Sequence, residues 1–190
     1  MLALVCLIGG FGLLGRAGPH GRTTGIGLLL VGSAAVLGVL RFSGQEQLTL
    51  PHMGLSGLAA CVGLPCIGAG WASRAFVPGH GDTVRRYVFG VLLVVAAMTW
   101  WMAPVRTGLG AAGMLAAAAG AVGLASVDRA AAGMGALGAV LTIVVGLAIG
   151  TEGDLLGFPR VGWFHLGLAL SHGLLALGIL RVDPSTGEMA

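Results

Sequence analysis

The chain has 190 residues, of which 56% are hydrophobic and only 9% charged, whereas soluble domains carry about a quarter charged residues. Its net charge of +3 comes from ten basic residues, all of them arginine, set against seven acidic ones. With a mean hydropathy of +0.96, this excludes a water-soluble globular domain. It offers no basic surface for nucleic acid, and it points to an all-α, polytopic bundle of transmembrane helices surrounded by the lipid bilayer.

A helix needs about 20 apolar residues to cross roughly 30 Å of hydrocarbon, and seven runs approach or reach that length. The first, 2–15, is short. No basic segment precedes it and a poor cleavage site follows it, so it reads as a helix rather than a signal peptide. If it fails to span, the bundle has six helices.

The second run, 24–40, closes at Arg41. The third, 50–72, contains Pro65, which removes a backbone donor and clashes with the carbonyl of Cys61, so a distortion is expected there. A polar loop with Arg74, His80, Asp82, Arg85 and Arg86 leads to the fourth run, 87–103, which ends near Trp100 and Trp101. The fifth, sixth and seventh runs are 107–126, 130–150 and 161–180. Residues 1–181 form a single transmembrane domain, and 182–190 read as a frayed polar tail.

An arginine in mid-membrane costs about 2.5–3.5 kcal/mol on insertion scales, so the spans stop where charges appear. With seven spans, Arg16, Arg22, Arg74, Arg85, Arg86, Arg129 and Arg181 share one side, against Arg41, Arg106 and Arg160 on the other. The positive-inside rule then puts the N-terminus out and the C-terminus in the cytoplasm, the setting being a bacterial-type plasma membrane. The 36 glycines permit close helix approach. Faces such as Gly25 with Gly32, or Gly113 with Gly120, suit packing within the chain, a homo-oligomer or other membrane subunits. The cysteines Cys6, Cys61 and Cys66 all lie in apolar runs and act as small hydrophobes.

Histidine is the residue type with chemical potential, because an imidazole in hydrocarbon needs a partner and can bind metal. His20 and His80 fall in loops and read as solvated. His52 and His165 lie at comparable depth near the outer ends of their helices, where they could meet. His172 is seven residues beyond His165, about 10.5 Å deeper at the helical rise, and a carbonyl freed near Pro65, such as that of Cys61, is its expected partner. His52 and His165, with Ser56 and a loop carboxylate from Glu152 or Asp154, would make a zinc set. The two imidazoles alone could hold a haem. Met53, Met98 and Met102 near that level would suit copper(I).

The segment Trp163-Phe164-His165-Leu166-Gly167-Leu168-Ala169-Leu170-Ser171-His172, with the span count and the outward N-terminus, resembles the CREST superfamily of seven-helix membrane proteins, which includes the alkaline ceramidases and the progestin and adipoQ receptors. The resemblance implies zinc held by an early histidine and a histidine pair in the last helix, with lipid amide hydrolysis in some members. Here it carries His165, His52 and Ser56 as candidates. The pair is seven apart instead of four, and no aspartate lies within a span. With no acid, base or nucleophile cluster in evidence, the leading expectation is a non-catalytic protein that binds a cofactor or lipophile in its outer half, or serves as a membrane subunit. A zinc-dependent lipid hydrolase and a b-type haem protein are the rivals.

Overall fold

A computed structural model of the chain describes residues 1–99, 102–149 and 153–184. These form α1 (Leu2–Arg16), α2 (Pro19–Phe42), α3 (Thr49–Leu58), α4 (Leu64–Phe76), α5 (Gly81–Thr99), α6 (Ala103–Gly123), α7 (Arg129–Val144) and α8 (Arg160–Val182). A small antiparallel hairpin, β1 (Asp154–Leu155) with β2 (Phe158–Pro159), precedes α8. A π-turn at Ala59–Gly63 joins α3 and α4 into one rod, and a second π-turn, Val145–Ile149, extends α7.

The protein is a membrane-embedded all-α chain, with five helical rods long and apolar enough to cross a bilayer: Pro19–Phe42, Glu46–Phe76, Ala103–Gly123, Arg129–Ile149 and Arg160–Val182. Two of the expected spans fall outside that set. Helix α1 is apolar but has 15 residues, about 22 Å at the helical rise. Helix α5 starts at Gly81 rather than at residue 87, and so takes Asp82, Arg85 and Arg86 into its first turns.

The rods α1, α2, α4, α6, α7 and α8 pack in that order, and α8 returns to α1, so the six close into a ring. Helix α5 lies outside the ring against α4 and α2. Close packing in hydrocarbon depends on small residues at the crossings. An added methyl at Gly113 would stand 2.7 Å from the backbone of Leu64 and Pro65, and one at Gly68 would collide with the carbonyl of Gly113. Gly25 and Gly32 face Leu13 and Cys6 of α1 in the same way. These glycine faces are therefore occupied within the chain.

At the end where α4 finishes, the ring interior is filled. Trp71 is wholly buried, and its ring occupies the space left by Gly135 and Gly178, where an added methyl would come within 3 Å of the indole. Below it lies a polar plug. Gly18 stands at the N-cap of α2 and has no side chain to supply, yet Asp183 from beyond α8 accepts the Gly21 N–H at 2.6 Å. The Asp183 carbonyl takes the Gly18 N–H, and Arg74 lies 3.6 Å from its carboxylate while donating to the Val182 carbonyl at 2.7 Å.

Two expectations change here. Of the expected frayed tail 182–190, Val182 and Asp183 are buried and Pro184 is bridged to Ala17, so this part is a packed clasp, while 185–190 lie outside the described residues. His20 is not solvated. Helix α2 begins at Pro19 rather than at residue 24, which buries the imidazole between the Ser73 hydroxyl and the Pro78 carbonyl, each at 2.8 Å. A proline suits the first helical turn, where its missing N–H would have no partner. Only His80 of the two loop histidines is exposed.

Candidate functional site

The opposite end of the ring is open and holds a cavity of about 700 Å³, within the range of small-molecule sites. Both π-turns border it. Pro65 cannot donate to the turn before it, and the chain absorbs this by widening Ala59–Gly63 into a π-turn, so the expected distortion is a wide turn. Ala59 and Ala60 of that turn and Gly146 of the second line the cavity, so small residues and wide turns make the space.

Most of the lining is apolar, and its polar groups lie at two levels. At the outer level, Arg41 ends α2 and His52 begins α3, brought together by the short link between them. A guanidinium only donates. The contact from Arg41 Nη1 at 3.3 Å therefore makes Nδ1 of His52 the acceptor and leaves the ring hydrogen on Nε2, which faces the Ser56 hydroxyl at 3.4 Å. The imidazole rests edge-on against Phe42 and over Gly38, where a methyl would sit 3.0 Å from Nε2. Arg41 also lies over the Phe42 ring at 5.0 Å, and no acidic side chain pairs with it among the described residues.

His165 lines the same cavity from α8. The anticipated meeting of these two histidines is thus an arrangement across a shared space. Its Phe164 neighbour stacks at a tilt, with ring centroids 5.8 Å apart.

At the inner level stands His172, wholly buried, with Nδ1 2.7 Å from the Leu168 carbonyl one turn back on its own helix. That partner replaces the expected carbonyl near Pro65. Nε2 of His172 has no hydrogen-bond partner among the described residues. Nearby, Thr142 and Ser171 bond to each other and both reach the Gly138 carbonyl, which ties α7 to α8 and leaves their hydroxyls satisfied.

Among the described residues no three histidine, cysteine or acidic side chains gather as a metal group. Asp154 lies exposed in the hairpin, away from the cavity lining, and Glu152 lies outside the described residues, as do Trp100 and Trp101. A guanidinium beside His52 also disfavours a divalent cation there. Met53, Met98 and Met102 are exposed on the bundle surface. Arg41, central to the site, was missed in the sequence, where its place at a span end marks a boundary and nothing more. Comparisons of the chain with protein-family models, with curated proteins and with solved structures found no match.

Proposed function

We propose that this protein binds, without transforming it, a single-chain amphiphile whose anionic head sits between Arg41 and His52 and whose apolar chain enters the ring. The observation that carries the reading is Arg41, a cation with no acidic partner among the described residues, at the edge of a largely apolar cavity of about 700 Å³. A guanidinium at a helix end with no counter-charge beside it favours an anion at the mouth of the cavity. Arg41 and Nε2–H of His52 both present hydrogens, which suits a carboxylate or phosphate and does not suit a metal cation.

In this reading α1 and α5 also cross, giving seven spans with the N-terminus outside and the C-terminus in the cytoplasm. The cavity then opens toward the outer leaflet, from which an amphiphile would enter. The arginine distribution supports that orientation.

The test is calorimetric titration of the purified protein in nanodiscs with stearate and with stearyl alcohol, which share a chain and differ in head charge. Stearate should bind at least tenfold more tightly, since hydrogen bonds to charged groups are worth about 1.5–3 kcal/mol. Equal affinities, or no binding by either, would overturn the proposal.

A further inference from the structure

We infer that the occupant also carries a hydrogen-bond donor, most simply an alcohol hydroxyl, about 10 Å along its chain from the anionic head, and that this group donates to Nε2 of His172. The inference rests on the amphiphile reading above and specifies the class of amphiphile.

Hydrogen-bond direction decides the chemistry. A carbonyl oxygen only accepts, so Nδ1 of His172, 2.7 Å from the Leu168 carbonyl, carries the ring hydrogen. A second hydrogen on Nε2 would leave an unpaired cation in a fully enclosed place, the costlier alternative. Nε2 is therefore an acceptor, and it is enclosed too tightly for bulk water to reach it. An unpaired buried acceptor costs on the order of 1–3 kcal/mol. Thr142, which also lines this level, is already paired with Ser171 and the Gly138 carbonyl, so among the described residues lining the cavity His172 is the buried side chain that lacks a partner.

The spacing comes from α8 itself. His165 lines the cavity near the start of α8, and His172 lies seven residues on, on the same helix face, about 10.5 Å further along the rise; with His165 taken at the level of the donors, that rise sets the spacing between head and hydroxyl. Donors at the outer level and an acceptor at the inner level are complementary to an anion followed by a hydroxyl. Leu64, Leu168 and the small residues Ala59 and Ala60 of the wide turn line the same cavity as His172, and the hydroxyl gains Nε2 by displacing these side chains.

The experiment titrates the full chain in nanodiscs with stearate and with a hydroxystearate bearing its hydroxyl at mid-chain, using wild-type protein and His172→Phe. Wild type should favour the hydroxylated chain by roughly tenfold, the size of one recovered hydrogen bond, and in His172→Phe the ratio of the two affinities, measured within that variant, should fall to about one. Nitrogen NMR of wild-type protein gives an independent readout should the variant not fold: hydroxystearate should move the Nε2 resonance of His172 and stearate should not. Equal affinities for the two chains in wild type, or a preference that survives His172→Phe, overturns the inference and leaves the anion site standing. Failure of both chains to bind overturns the anion site and the inference together. A Soret band on adding hemin, lost in His172→Phe, would also overturn it, by showing that Nε2 takes iron instead of a hydroxyl.

Discussion

Arg41 donates to Nδ1 of His52 across 3.3 Å, and this one contact fixes which nitrogen of the imidazole faces Ser56. It converts a histidine of open tautomer into a hydrogen donor at the same level as the guanidinium. The two residues belong to different helices, and the short link between α2 and α3 brings them together.

Arg41→Gln tests this pair directly. The variant keeps a side chain able to donate to His52 but removes the charge, so stearate affinity should fall by about tenfold to a hundredfold. The melting temperature in detergent should stay close to wild type, because no acid depends on Arg41 among the described residues. Unchanged stearate affinity in calorimetry would contradict this.

Gly113→Ala should destabilise the bundle, because the new methyl would meet the backbone of Leu64 and Pro65 at 2.7 Å, where no side chain can move aside. Overpacking of this kind costs about 1–3 kcal/mol. Gly133 has nothing within 4 Å of an added methyl, so Gly133→Ala is the control and should be neutral or slightly stabilising. Thermal melts of the two variants, side by side in one detergent, read the difference.

Asp183→Ala should cost about 1–3 kcal/mol, since it strips the Gly21 N–H of its acceptor and leaves the neighbouring Arg74 without its counter-charge. Asp183→Asn keeps an acceptor for Gly21 and should lose less. Hydrogen exchange should then rise in the first turn of α2 in the alanine variant and not at the cavity end.

Asp128 gives a pH dependence of known sign. It caps α7, and its carboxyl is held below the ordinary carboxylate range, first by the Ala131 N–H, with Arg181 and the Ala130 N–H adding to the effect. A folded-state value below the unfolded one means that its stabilisation is present above about pH 4 and disappears as acid protonates the folded form. The α7–α8 contact should therefore be constant through neutral pH and weaken in acid. Asp128→Asn should flatten part of that acid loss in a melting-temperature profile, and an identical profile would sink the assignment.

Much of the architecture was legible in the residues. The scarcity of charge and the placement of arginines between apolar runs require helices in lipid, because buried backbone must satisfy itself there. Pro65 announced a disturbance in the third rod, and His52 and His165 were assigned one level from helical rise alone. Helix ends were less legible. The start of α2 depends on Asp183, far along the chain, supplying the cap that Gly18 lacks. No local signal records a partner so distant, which is why His20 reads as a loop residue and is in fact buried.

Composition and periodicity thus determined by themselves that the chain is an all-α membrane protein. Only the tertiary structure decided that six helices close into a ring with one end filled by Trp71 and the other open, and that Arg41 joins His52 at the mouth. The reason is physical. Depth along a helix follows from the constant rise of the backbone, whereas closure, hydrogen-bond direction and the state of Nε2 of His172, unpartnered among the described residues, depend on contacts between segments that sequence spacing does not encode.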